Sequence, residues 1–212
     1  MKNLLLALGM FSIIMWTSCG DGNVFTPPDP AIQAAEDSAK IVNYIKDLGY
    51  SDLDSTLESG VHFVILDSGD GEVIDESDIV TFHYVGKLLN DTIFDTSIKK
   101  VADSIRIAVQ ADTVGIEASS IQLSLLNSFS ASRPFNPYEI TYSASGWPIS
   151  GQFIDGFTDG VSATFRLMRV GGKSLIVIPS ALAYGANGSG GLIQPNTVIA
   201  FELYPIKVIK QP

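Results

Sequence analysis

"SALAYGANGSGGLIQPN", residues 180–196, is the stretch on which the reading of this chain turns. Four glycines, Gly185, Gly188, Gly190 and Gly191, follow a lone Tyr184. A dinucleotide fingerprint would need G-x-G-x-x-G between a strand and the helix whose N-terminus takes the pyrophosphate. Here the glycines run into Leu192, Ile193, Gln194 and Pro195, which cannot open a helix. A phosphate cradle is therefore set aside, and the sequence implies a supple loop beside a tyrosine.

The segments around that loop are apolar. "KSLIVIPS" (173–180) and "NTVIAFELYPIKVI" (196–209) read as buried strands. Further upstream, "DIVTFHYVG" (78–86) alternates and puts Val80, Phe82 and Tyr84 on one face. "DGFTDGVSATFRLMRVGG" (155–172) reads as the one helix of the core. Many strands with one central helix make an α+β domain. "DSGDGE" (67–72) is acidic, but it lacks the alternating spacing and terminal Glu of a calcium loop and reads as a hairpin turn. Residues 99–136 are less legible and read as a long insertion, delaying an edge strand placed near "PYEITYS" (137–143).

The N-terminal part is organised differently. "MKNLLLALGMFSIIMWTSC" has Lys2, an apolar run from Leu4 to Trp16, and small residues before Cys19. The run is short for a membrane span and suits a signal segment. It resembles the lipobox of bacterial lipoproteins, with residues 1–18 as signal peptide and Cys19 as the lipidated residue, although Trp16 stands where leucine is usual. Palmitate-type acylation would hold the protein at a membrane surface without spanning it. Cys19 is the only cysteine, so the remaining chain offers no disulfide or thiolate site. Residues 19–29 read as a polar, proline-rich tether and 30–59 as a helical segment. Asp29 is placed to cap a helix starting at Pro30, with Ile41, Tyr44, Ile45 and Leu48 at helical spacing and Gly49 at its end. A docking arm, a dimer contact and plain packing are all open for this helix; packing is the expected one.

Absences narrow the function. The formal net charge is −10, from 13 Lys and Arg against 23 Asp and Glu, with no basic block. That excludes a phosphate-neutralising surface, so nucleic acid is not an expected partner. His62 and His83, the only two histidines, read as ordinary strand residues. There is no G-x-S-x-G elbow and no metal-ligating cluster, so the expectation is no metal and no cofactor. What stands out is a set of aromatics at strand ends and turns: Tyr84, Phe94, Phe153, Phe157, Tyr184 and Phe201.

Four fragments in order carry a family resemblance: "FHYVGKLLNDTIFDTS" (82–97), "GQFIDGFTDGV" (151–161), "MRVGGKSLIVIPSALAYGANGSGGLIQPN" (168–196) and "VIAFELYPI" (198–206). They resemble the FKBP-type peptidyl-prolyl cis-trans isomerases over about residues 60–209, minus the insertion. The resemblance implies an α+β fold, a twisted antiparallel sheet wrapped around a short helix, here with an extra N-terminal helix and the 99–136 insertion. It implies a proline pocket in which Tyr84, Asp95, Ile154 and Tyr184 are the catalytic set. Tyr184 would donate to a substrate carbonyl and Ile154 would offer its backbone N–H. Phe94, Phe153, Phe157, Leu192, Ile193 and Phe201 would bind substrate, with Phe157 on the floor in place of the usual tryptophan and Leu192 and Ile193 in the flap. Asp95 has two readings, a carboxylate near the twisting bond and a turn carboxylate orienting the Tyr84 hydroxyl. The implied partners are proline-containing unfolded or extended polypeptides, met in the bacterial cell envelope. A non-catalytic binding module, or holdase, on the same fold is the alternative.

Overall fold

In a computed structural model, residues 29–115, 117–145 and 153–212 are described. The leader, the tether up to residue 28 and Cys19 lie outside them, as do Gly151 and Gln152 of the second fragment.

Helix α1 spans Pro30–Asp47 and starts as its sequence requires: the Asp29 side chain accepts from the Ala31 N–H at 2.8 Å, with Pro30 in the first turn. Seven strands then form one antiparallel sheet: β1 (Asp54–Thr56), β2 (His62–Asp67), β3 (Ile79–Leu88), β4 (Ile93–Thr96), β5 (Tyr138–Thr141), β6 (Lys173–Ile178) and β7 (Ile199–Ile209). Their spatial order is β1-β2-β6-β7-β3-β4, and β5 also pairs with β3. On the outer side of β3, residues 79–82 pair with β5 and 85–87 with β4. Between β4 and β5 the chain leaves that edge and returns to it. This excursion carries α2 (Lys99–Asp112) and α3 (Ser120–Ser128), the latter opened by a Ser119–Gln122 capping box. The insertion of the sequence reading is thus a helical pair rooted at the edge that bears Tyr84 and Asp95.

The sheet is covered on both faces. Helix α4 (Asp155–Phe165) lies on one, where Phe157, Val161 and Phe165 join Phe82, Ile176 and Ile178 in the main core. On the other face, Ile41, Tyr44 and Ile45 of α1 pack on Val64, Leu175, Val177 and Ala200. Leu175 and Val177 therefore point one way and Ile176 and Ile178 the other. This is why "KSLIVIPS" is an unbroken apolar run and not an alternating one. Packing is the contact the structure gives α1, with Leu48 left at its exposed end.

Two expectations are corrected. Residues 67–72 do not close a hairpin, because β2 pairs with β1 and β6 and never with β3. The loop folds instead against 169–172: Arg169 N–H donates to the Ser68 carbonyl and Val170 N–H to the Glu72 carbonyl. The core helix also stops at Phe165, and residues 166–168 turn through Leu167 N–H to Thr164 O and Met168 N–H to Phe165 O. Residues 166–172 thus lie outside the helix expected over 155–172.

Candidate active site

Tyr84 is fixed before its side chain is considered. Its N–H donates to Ser97 Oγ at 2.9 Å, and its carbonyl accepts from Thr96 Oγ1 at 2.8 Å. Strand alternation then points the ring inward, where it is buried. Its hydroxyl donates to Asp95 Oδ2 at 2.7 Å, across the β3–β4 pair. Asp95 Oδ1 accepts from Arg133 Nη2 at 2.7 Å and from the Thr96 N–H at 2.8 Å. Arg133 is anchored in turn by Nη1 donating to the Ser128 carbonyl at 2.9 Å, at the end of α3. Both oxygens of the carboxylate are therefore engaged, and the Tyr84-orienting role of Asp95 is present in the geometry.

Above this network lies a cavity of about 330 Å³ lined by Tyr84, Asp95, Tyr138, Phe153, Ile154, Phe157, Tyr184 and Phe201. Its walls are aromatic rings in edge and stacked contact. Phe157 meets Phe201 at 4.8 Å between centroids and 74°, and stacks on Phe153 at 5.3 Å and 14°. Phe153 meets Tyr138 at 5.1 Å and 66°. Phe157, one of the lining residues, is buried.

Two residues that line this space carry a donor with no partner among the described residues. One such donor is the N–H of Ile154, the residue that caps α4, where no side chain satisfies the helix start. The other is the hydroxyl of Tyr184. Burial first, and the Asp95 charge second, push the Tyr184 phenol above its ordinary value. The same two causes raise Tyr84 more strongly. Both hydroxyls therefore carry their protons at neutral pH.

Three expected residues stand elsewhere. Phe94, Leu192 and Ile193 border a neighbouring recess of about 190 Å³, shared with Asp95, Arg133 and Tyr184. Phe94 supports the cavity from behind, edge-on to Phe201 at 5.5 Å. The glycine loop is less free than its composition suggests. Ser189 and Ile193 exchange both backbone hydrogen bonds, and Asn196 N–H donates to the Gly185 carbonyl. At Gly188, with φ +63°, a Cβ would lie 2.2 Å from the Ile193 carbonyl oxygen. The glycines thus permit a tight, internally bonded turn. Arg133 was missed by the sequence reading; its one signal is a cation beside Pro134 just ahead of the returning edge strand. Among the described residues, no three His, Cys, Asp or Glu side chains group where they could hold a metal ion.

The family model described as FKBP-type peptidyl-prolyl cis-trans isomerase matches residues 136–204, which span β5, α4, β6 and the Tyr184 loop. The matched segment is that of an FKBP-type domain. It is 26% identical over 168 residues to the probable FKBP-type peptidyl-prolyl cis-trans isomerase FkpA of Neisseria meningitidis, covering 78% of this chain and 44% of that one. It is 28% identical over 154 residues to the outer membrane protein MIP of Legionella longbeachae, covering 73% and 46%. The chain thus spans about half the length of these curated relatives. The crystal structure of FkpA from Escherichia coli superposes with a TM-score of 0.48 at 24% identity, over 86% of this chain and 63% of that one.

Proposed function

We propose that this chain is a peptidyl-prolyl cis-trans isomerase acting on Xaa-Pro bonds in the aromatic cavity. The observation that carries the reading is a cavity walled mainly by aromatic rings and lined by Tyr184 and Ile154, whose hydroxyl and N–H have no partner among the described residues. Rotation about an amide crosses roughly 18–20 kcal/mol because resonance is lost in the twisted state. The twisted amide is less polar than the planar one, so an apolar cavity disfavours the ground state relative to water. Tyr84, Phe157 and Phe201 grip the proline ring. The Ile154 N–H and the Tyr184 hydroxyl hold substrate carbonyls, so one side of the bond is fixed while the other turns. Asp95, tied to Tyr84 and Arg133, keeps the wall in place beside the rotating bond. An acceleration of about 10⁴ needs only ~5.5 kcal/mol of preferential stabilisation, within reach of shape, desolvation and two hydrogen bonds. No nucleophile is required.

In this reading the substrates are unfolded or extended polypeptides in the bacterial envelope, and Cys19 carries a lipid that holds the protein at the membrane. The leader sequence and the printed name of the Legionella relative support that location. A second reading, a non-catalytic holdase, is favoured by the apolar residues Ile107, Val114, Ile121 and Leu123, exposed on or next to the insertion helices. Isomerisation of an Ala-Xaa-Pro-Phe peptide separates the two. We expect catalysis by the full chain, with Tyr184→Phe and Asp95→Ala each lowering kcat/KM about tenfold or more at unchanged fold. Catalysis absent from the wild type would instead favour the holdase.

A further inference from the structure

The roomiest cavity described is not the aromatic one. A space of about 590 Å³ lies between α1 and the outer side of the loop that carries Tyr184. Its apolar wall includes Ala34 and Ile41 of α1, with Pro179, Leu182 and Ala186 opposite. This size and a mostly apolar lining are those of small-molecule sites, which add a few placed polar groups. Among the polar residues of this lining is His62. Its side chain lines the cavity and is only 7% exposed. Nδ1 lies 2.8 Å from Asp54 Oδ2. A carboxylate can only accept, so Nδ1 carries the hydrogen, and in the neutral ring Nε2 presents a lone pair. Nε2 has no partner among the described residues.

The wall also tells which charge is unwelcome. Asp37, 1% exposed, lines the cavity with its carboxylate held by the Ser180 N–H at 2.8 Å and Ser180 Oγ at 2.6 Å. Lys40 is the nearest cation to it, at 3.7 Å, and is already matched. A buried anion in the wall repels another anion. We propose that this cavity is a second binding site, taking a neutral, largely apolar small molecule that gives one hydroxyl or N–H donor to His62 Nε2. Leu182, Gly185 and Ala186 touch the occupant from either side of Tyr184, so the loop reports occupancy.

1-Naphthol, naphthalene and 1-naphthoate, titrated into the full chain and followed by backbone and His-ring NMR, test this. 1-Naphthol should saturate while shifting His62 and residues 182–186, leaving Phe153 and Phe157 unmoved. Naphthalene, without the donor, should bind about five- to tenfold more weakly, the effect of one hydrogen bond, and 1-naphthoate, which lacks the donor and carries a charge, at least as weakly. His62→Phe should remove the preference for 1-naphthol over naphthalene. Ala34→Trp, at an exposed rim position of α1, should block all three. Equal affinities for 1-naphthol and naphthalene, or shifts confined to the aromatic cavity, would overturn the proposal. So would contacts from residues 20–28 to His62 in the ligand-free protein, since the chain itself would then fill the space.

Discussion

Asp95 accepts from Tyr84, Arg133 and the Thr96 N–H, and the three contacts are not equal. Arg133 brings charge and comes from the insertion; the others belong to the strand edge itself. Arg133→Ala should lower kcat/KM about five- to tenfold through a looser Asp95–Tyr84 wall, with Arg133→Lys recovering part of it. A peptide isomerisation series reads this, and an unchanged rate would show that the strand-edge contacts suffice. Tyr184 carries a pH prediction. Burial disfavours its phenolate, so its pKa lies above the ordinary 10.0 and the donating form persists at every lower pH. Activity should therefore hold from neutral pH up to about 10, with no tyrosine limb in that range. A loss of kcat/KM centred near pH 8 would mean that some other group controls the step.

Helix α4 places both Ile154 and Phe157, and its distance from β6 sets where they stand. A Cβ at Gly156 would lie 2.2 Å from Ile178 Cγ2 and 3.1 Å from Leu182 Cβ, so the helix sits as close as glycine allows. Gly156→Ala should cost about 1–3 kcal/mol by overpacking, read as a lower urea midpoint. It should also reduce activity, because the helix start that bears the Ile154 N–H moves with the helix. Element identity was legible where packing wrote it into the sequence. The alternation of Val80, Phe82 and Tyr84 and the continuous run in β6 each state how many faces are buried. The turn at 67–72 was misread because Ser-Gly-Asp-Gly marks a reversal without naming the strand that follows. Helices α2 and α3 went unseen for a different reason: α2 buries only Ala102 and Val109, and α3 buries none of its residues, so the core places little constraint on their sequences.

The cavity draws on residues from 84 to 201, and pattern alone could not have gathered them; family-like fragments in order did so. Arg133 escaped because no fragment covers it and its partner lies 38 residues away. Long-range polar contacts leave little trace in one sequence, and the link between α1 and the rest of the molecule is another such case. Periodicity named Ile41, Tyr44 and Ile45, but not Asp37, whose carboxylate reaches across 143 residues to the N–H and hydroxyl of Ser180. That contact ties α1 to the short turn that leads into Tyr184. Asp37→Ala would leave two buried donors unmet and should lower unfolding free energy by about 1–3 kcal/mol. Ser180→Ala removes the hydroxyl but keeps the N–H, so it should cost less. In a double-mutant cycle by urea denaturation, the pair should show a coupling of about 1 kcal/mol or more. Strict additivity would mean that α1 is held by its apolar face alone and that the carboxylate does not help to set the Tyr184 loop.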